Sequence, residues 1–131
     1  MKINVNNVGK GQDTKSVIDW VFDSNSIQIE FNCIARPLYS KKINKVFVSV
    51  YFENAIFVFR SEDGDLEEKF AIPKKENYQY RGLSINPKSR SGVALLFAPT
   101  SDQAGNEWSD IEQYELVMEP YILGEYLAIY R

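Results

Sequence analysis

The sequence has no histidine, and Cys33 is its single cysteine. Histidine is the commonest general base and a common metal ligand, so its absence removes every Ser-His and Cys-His catalytic arrangement. A single cysteine cannot form an intramolecular disulfide or a multi-cysteine metal site, and it is typical of proteins from a reducing compartment. We therefore predict a cytoplasmic protein without a metal site.

Glycine-rich motifs and long apolar runs are also missing. Gly9 and Gly11 lack the downstream spacing of a phosphate-binding loop, so nucleotide binding is not expected. The first residues are followed by polar asparagines, and no apolar run approaches the roughly 18 residues of a membrane helix. We expect neither a signal peptide nor a membrane span.

The other residue types that could carry a reaction form no clear pattern. There are 18 carboxylates, but no spacing selects one pair of them for acid–base catalysis. Cys33 lies among apolar strand residues, where a thiol usually acts as a small buried hydrophobic group. The sequence therefore predicts a protein that is not an enzyme and that binds no cofactor.

Apolar residues, in contrast, are plentiful, with 44% hydrophobic and 14% aromatic residues. A chain of 131 residues with this composition can bury roughly two thirds of the surface that its unfolded state exposes. That is enough for a hydrophobic core, and we predict a single domain covering residues 1–131.

The clearest pattern lies in residues 45–72, which we predict to form three consecutive strands joined by tight turns. Val46, Val48 and Val50 alternate with neighbours that are also largely apolar, and Phe52 continues this alternation. Strands that are apolar on both faces are typical of the middle of a sheet. The first two of these strands should therefore be central ones.

Both turns in this stretch have sequence signals. Glu53 and Asn54 suit a two-residue turn, because asparagine tolerates a positive φ. Asp63 with Gly64 predicts a type I′ turn, which needs a positive φ at both central positions. The strand that follows carries Glu67 and other charged residues on one face, which is typical of an edge strand.

Most of the remaining chain also has the period of β-strands. We predict strands or short strands at residues 2–5, 35–39, 81–86, 93–98 and 121–130, and a hairpin over residues 17–34. A helix over residues 16–22 is the alternative to the first arm of that hairpin. Gly124 could mark a bulge in the last strand.

Residues 110–118 can be interpreted in two ways. As a helix, Ser109 and Glu112 would form a capping box, and Pro120 would end the helix. As a strand, apolar residues would alternate with polar ones. We favour the strand, because residues 93–98 need a pairing partner, and we expect the polar residues 100–107 before it to form a loop.

A similar pattern occurs twice in the chain, with Val46 and Val48 corresponding to Val93 and Leu95. Repeats of about 40 to 50 residues are typical of propeller blades, and residues 35–72 resemble one such four-stranded blade. The chain is too short for a closed propeller. We therefore expect a mainly β fold, in which antiparallel meanders form two packed or strongly twisted sheets.

The net charge of −3 conceals a separation of signs along the chain. Basic residues between Lys41 and Arg90 are interleaved with tyrosines, as phosphate contact and base stacking would require. This indicates an alternative function, a β-sheet module that binds nucleic acid or a small ligand through the basic surface of residues 41–90. A pI near 5.0 argues against nucleic acid.

The acidic C-terminal part carries the preferred hypothesis. Acidic residues interleaved with aromatic ones suit a protein that binds a basic partner, because charges speed encounter and a few aromatic residues supply most of the binding energy. The alternative is that most of these aromatic residues belong to the core. The candidate partner-binding residues are Asp102, Glu107, Trp108, Asp110, Glu112, Tyr114, Glu115 and Glu119.

In size, acidity, lack of catalytic residues and expected location, the chain resembles small bacterial immunity proteins. These proteins neutralise contact-dependent or other polymorphic toxins, often nucleases, and share no single fold. The resemblance covers the general character of the whole chain and is carried by no motif. It implies that acidic side chains of residues 102–119 pair with Lys or Arg around the active site of a cognate toxin and block its substrate.

Overall fold

The structure, a computed structural model, describes residues 1–100 and 110–130. The protein is mainly β, with 60% strand and 5% helix, so the predicted fold class is confirmed. The strands are β1 (Asn4–Val8), β2 (Lys15–Phe22), β3 (Asn25–Phe31), β4 (Arg36–Ser40), β5 (Lys45–Val50), β6 (Ala55–Arg60), β7 (Leu66–Ala71), β8 (Tyr78–Ile85), β9 (Val93–Pro99), β10 (Glu112–Val117) and β11 (Ile122–Ile129). Two short 3-10 helices cover Gly11–Asp13 and Tyr51–Glu53. Within the described ranges no helix has the length and apolar character needed to cross a membrane.

All the strand pairs are antiparallel, and the strands form three sheets. Their orders are β1-β2-β3, β4-β5-β6-β7 and β11-β10-β9-β8. The sequence predicted two sheets. The additional one forms because β1 pairs along β2 and turns the predicted hairpin into a separate three-stranded sheet. In the part of the chain that the structure describes, none of the sheets closes into a propeller.

The chain divides into two compact units, Met1–Ala71 and Ile72–Arg131. The first unit contains the β1–β3 sheet and the β4–β7 sheet, and the second contains the β8–β11 sheet. Two compact units can belong to one domain, so the single domain stays a prediction.

The core of the first unit joins its two sheets. Trp20 is buried in this core, and its indole Nε1–H donates a hydrogen bond to the backbone carbonyl of Ser61 over 2.7 Å. The strands β5 and β6 lie inside their sheet and are buried on both faces, so the prediction of two central strands is confirmed. The buried cluster consists of Ile18, Trp20, Ile27, Phe31, Ala35, Val46, Val48, Val50 and Phe59.

The turn between β6 and β7 differs from its prediction. Gly64 has a φ of +77°, but Asp63 does not have a positive φ, so the type I′ turn is wrong. The turn is longer, with the Arg60 amide donating to the Asp65 carbonyl over 2.9 Å. The Asp63 carboxylate accepts a hydrogen bond from the Asp65 amide, and this local bond favours the wider turn. The next strand, β7, is an exposed edge strand as predicted.

The turn between β5 and β6 is also longer than predicted. Asn54 has the expected positive φ of 52°, and its amide donates to the Tyr51 carbonyl over 3.0 Å. The three residues Tyr51–Glu53 form a 3-10 helix and therefore leave the strand. As a result Phe52 does not continue the buried alternation and is 88% exposed.

The hairpin predicted over residues 17–34 is formed by β2 and β3, so the helix alternative is wrong. Its two-residue turn is made by Asp23 and Ser24, both of which have a positive φ. The strand β3 ends at Phe31. Cys33 therefore lies beyond the strand, and it is half-buried rather than buried as predicted.

Several strand boundaries are set by the pairing partner rather than by the local pattern. The first strand covers Asn4–Val8 instead of residues 2–5, because this segment pairs with β2. Likewise β8 begins at Tyr78, where it meets the end of β9, and not at residue 81.

In the second unit, residues 110–118 contain a strand, as favoured, and not a helix. The strand β10 pairs with β9 on one side and with β11 on the other. The register with β11 shifts so that Gly124 and Glu125 lie opposite Glu115, which confirms the bulge predicted at Gly124. The two similar stretches of sequence, starting at β4 and β8, each form a four-stranded meander with the same strand order.

Candidate partner-binding surface

Of the eight residues predicted to bind a partner, the structure places five. Asp102, Glu107 and Trp108 lie outside the described residues. The other five are on β10 or beside it: Asp110, Glu112, Tyr114, Glu115 and Glu119.

Tyr114 is a core residue with 8% of its surface exposed. Its ring makes edge contacts with Phe97, Tyr78 and Tyr126, at centroid distances of 5.9, 6.4 and 5.7 Å. Its hydroxyl donates a hydrogen bond to the Glu112 carboxylate. Burial is the main cause that raises the pKa of Tyr114 well above its usual value, and this hydrogen bond is the second. Tyr114 is thus part of the core, as the alternative for the aromatic residues had it.

Lys75 adds a cation to the same cluster. Its Nζ lies 4.7 Å from the ring centroid of Tyr114 and 4.9 Å from that of Tyr78. The quadrupoles of the two rings attract the ammonium group. Sequence reasoning missed this contact, because Lys75 stands in a polar loop and nothing local indicates that the loop folds over two tyrosines.

Glu112 and Glu115 lie on opposite faces of β10, since the side chains of a strand alternate. Glu112 accepts the hydrogen bond from Tyr114 on one face. On the other face the Glu115 carboxylate accepts a hydrogen bond from the Arg90 backbone amide over 2.9 Å. The two carboxylates therefore do not form one acidic surface, and each already has an intramolecular partner.

The face of β10 that carries Glu115 also holds a polar network. The side-chain oxygen of Gln113 accepts hydrogen bonds from Ser84 and Asn86, both over 3.1 Å. Its amide group donates to the carbonyl of Ile129 over 3.3 Å, which ties β10 to β11 and β8. A satisfied network of this kind holds three strands in one register.

The exposed acidic residues lie around β11, the outer strand of its sheet. Tyr126 is 51% exposed on this strand, and its ring is held by the edge contact with Tyr114. Residues 110–130 contain five carboxylates and no lysine or arginine, so this segment of the chain is acidic. We call the exposed set the β11 edge, and it consists of Asp110, Glu119, Ile122, Glu125, Tyr126 and Tyr130.

A second group of exposed carboxylates lies in the turn between β6 and β7. Arg60 lies 2.9 Å from a Glu62 oxygen and 3.3 Å from an Asp63 oxygen, so both carboxylates face a cation of their own chain. These carboxylates raise the pKa of Arg60. The negative charge of this turn is thus partly neutralised.

The basic residues of the alternative function are distributed over both compact units. Lys45 forms a salt bridge with Glu67, and Lys69 lies 3.1 Å from a Glu53 oxygen. Lys75 is held by its tyrosines. These three cations, and Arg60 with them, are therefore engaged within the chain.

Burial raises the pKa of the Cys33 thiol, and the negative charge of Glu53 raises it further. The raised pKa lowers the thiolate fraction of Cys33, and with it the reactivity of this residue, near neutral pH. Among the described residues no three His, Cys, Asp or Glu side chains are grouped so that they could hold a metal ion.

Comparison with known proteins identifies no relative of this chain. No protein-family model matches the chain, and neither a curated protein nor a solved structure shows significant similarity to it.

Proposed function

We propose that this protein is a non-enzymatic inhibitor of a basic protein partner, an immunity protein that acts in the cytoplasm against a cognate toxin. The observation that carries the proposal is the β11 edge, where Tyr126 is exposed among carboxylates and no cation of residues 110–130 accompanies them. The toxin would be neutralised by occlusion of its active site, and no residue of this chain would do chemistry.

Among the described residues, β11 carries fewer charges than an outer strand usually does. Proteins commonly place several charges on such strands to prevent pairing with other chains. The edge strand β7 follows this rule, with Glu67, Glu68 and Lys69 among its six residues. In contrast, the eight residues of β11 include Glu125 as their single charge and leave Ile122 and Tyr126 half exposed. A partner that covers β11 would account for this difference.

Tyr126 has the properties of a binding anchor. Tyrosine is enriched among the residues that dominate interface energies, and a ring that is already held loses little conformational freedom on binding. The edge contact with Tyr114 holds the ring of Tyr126 in this way. We therefore assign to Tyr126 the anchoring role that the sequence suggested for Tyr114.

The charge contribution is assigned to the carboxylates that form no hydrogen bond or salt bridge with the other described residues. Glu112 and Glu115 are engaged in hydrogen bonds, whereas Asp110, Glu119 and Glu125 are exposed. The exposed three would steer a basic partner to the edge and pair with its lysines or arginines. Asp102, Glu107 and Trp108 remain proposed contacts on the adjoining segment.

The test is co-purification with the product of the adjacent upstream reading frame, followed by affinity measurements on variants. We expect the double reversal Glu119→Lys with Glu125→Lys to weaken binding at least tenfold, and Tyr126→Ala to weaken it by about 2 kcal/mol, the scale of an interface anchor. The matched control is Glu68→Lys, which reverses an exposed carboxylate on the other edge strand, β7. Equal affinity of the double reversal and the control would contradict the proposal.

A further inference from the structure

A groove of about 710 Å³ opens on the first compact unit. It is lined by the first 3-10 helix, the connection between β3 and β4, and the turn between β5 and β6. This volume falls within the range of about 300 to 1,000 Å³ that is typical of small-molecule sites. The β11 edge belongs to the other unit, and the groove has no part in the proposed function.

The walls of the groove carry exposed apolar side chains. Phe52 is 88% exposed, Ile34 is 50% exposed and Tyr51 is 41% exposed. Apolar side chains scattered singly over a surface are ordinary, but these three line one concavity and form a shared apolar surface. The 3-10 helix places Tyr51 and Phe52 there, because it takes them out of the strand that would have buried them.

Arg36 is the one charged side chain among the described residues that line the groove. The guanidinium carbon of Arg36 lies 5.9 Å from the ring centroid of Tyr51, and the side chain lines the same groove. No carboxylate of the described residues forms a salt bridge with Arg36, unlike Lys45, Arg60 and Lys69. A guanidinium group matches a carboxylate with two parallel hydrogen bonds, so its free donors select for an anion of that shape.

We propose that the groove binds a small amphipathic carboxylate, an aryl or medium-chain alkyl acid. Its apolar body lies against Ile34, Tyr51 and Phe52, and its carboxylate pairs with Arg36. Exposed apolar walls with one unpaired guanidinium complement such a ligand in both shape and charge. The proposal stands independently of the partner at the β11 edge.

Cys33 provides a built-in reporter, because the only cysteine of the chain lines the groove and is half-buried. A bound ligand should slow its modification by a neutral maleimide. We expect dodecanoate to protect Cys33 in a saturable manner, and dodecanol, which has the same chain without the charge, to protect it about tenfold less well. Absence of saturable protection by dodecanoate and by naphthoate would overturn the proposal.

Variants separate the two halves of the site. Arg36→Gln should weaken the protection by dodecanoate about tenfold and leave that by dodecanol unchanged. Phe52→Ala should weaken both by a similar factor, and its exposure makes misfolding no concern. The controls are Arg81→Gln and Leu66→Ala, an exposed cation and an exposed apolar residue outside the groove. Equal protection in Arg36→Gln and Arg81→Gln would contradict the role of the charge.

A peptide that ends in leucine with a free carboxylate distinguishes a second source of the same chemistry. We expect weaker protection by the peptide than by dodecanoate, because the groove takes the apolar body of a small acid. Protection by the peptide alone would assign the groove to the chain end of a protein partner and would overturn the small-molecule proposal.

Discussion

At the scale of single residues, Tyr114 joins the core of the second unit to its exposed edge. Its ring contacts Phe97 on the neighbouring strand β9 and Tyr126 on β11, and its hydroxyl is bonded to Glu112. The orientation of the exposed Tyr126 ring thus depends on a buried neighbour. A change at Tyr114 should therefore affect both stability and the proposed binding of a partner.

Because the pKa of Tyr114 is raised, the stability of the protein should change with pH in the alkaline range. The folded state holds the phenol proton more tightly than the unfolded state, so this stabilisation is complete below about pH 10, the ordinary tyrosine pKa. It is lost as the pH rises through the folded-state pKa. We expect the free energy of unfolding, measured with urea, to fall above about pH 10 in the wild type.

Two variants isolate the contribution of Tyr114 to this pH dependence. In Tyr114→Phe the alkaline fall should be shallower, because the group that titrates is gone. The control is Tyr126→Phe, the same substitution at a half-exposed tyrosine, and the comparison is between the slopes of the two variants. An unchanged profile in Tyr114→Phe would show that another group causes the alkaline loss.

Trp20 should be among the most sensitive positions of the first unit. The change Trp20→Phe removes the donor to the buried Ser61 carbonyl and leaves a small cavity. Together these effects should cost about 2 to 4 kcal/mol of unfolding free energy, measured by urea denaturation. The neighbouring Val21→Ala serves as control and should change stability by less than about 0.5 kcal/mol, because Val21 is exposed. A similar loss in both variants would contradict this ranking.

At the scale of elements, the turns decide which residues the sheets expose. The 3-10 helix after β5 presents Phe52 to solvent, and the wide turn after β6 brings Gly64 against the core residue Ile27. A Cβ added at Gly64 would come 2.5 Å from the Ile27 side chain, closer than two carbon atoms can approach. Glycine is thus required here both for its φ and for the space.

Substitution of Gly64 should lower the free energy of unfolding by more than the cost of its positive φ alone. Gly64→Ala combines a positive φ with the clash at Ile27, and we expect a loss of about 2 to 4 kcal/mol in urea denaturation. The control Gly11→Ala has a comparable φ of +57°, but nothing lies within 4 Å of the added Cβ. It should lose about 1 kcal/mol, the cost of the backbone conformation. Equal losses would show that the contact with Ile27 relaxes freely.

The two edge strands β7 and β11 differ in the number of charged residues that they carry. The charged residues of β7 protect one outer edge, whereas β11 presents half-exposed apolar residues and its single charge lies at a bulge. A bulge itself discourages regular pairing along the strand. The side chains of the β11 edge, and not a continuous new ladder of backbone hydrogen bonds, should therefore supply most of the contacts with a partner.

At the scale of the whole molecule, the net charge of −3 should act mainly on the rate at which the proposed basic partner binds. Attraction between an acidic surface and a basic partner accelerates encounter, and salt screens it beyond about 10 Å at 0.1 M. We expect the association rate to fall about tenfold between low salt and 0.5 M, with the dissociation rate nearly unchanged. Surface plasmon resonance measures both rates. A dissociation rate that carries the whole salt effect would contradict electrostatic steering.

How well the sequence predicted each part depends on how local the pattern is. The strands β5, β6 and β9 were predicted because runs of apolar residues with a period of two are local features. The turn after β5 was predicted too short, because Asn54 indicates that a turn is present but not how many residues belong to it. The sequence could not show which tyrosine of the C-terminal part is exposed, since Tyr114 and Tyr126 look alike in sequence and differ in burial.

The sequence by itself determined the mainly β class, the central position of β5 and β6, and the acidic character of the C-terminal part. Each of these follows from residue types and their spacing along a few consecutive residues. Tertiary structure decided the rest: a third sheet, the outer position of β11, the opposite faces of Glu112 and Glu115, and the groove beside Arg36. The reason is physical. Pairing between distant strands determines which edges stay open and which side chains are buried, and a local pattern carries no information about it.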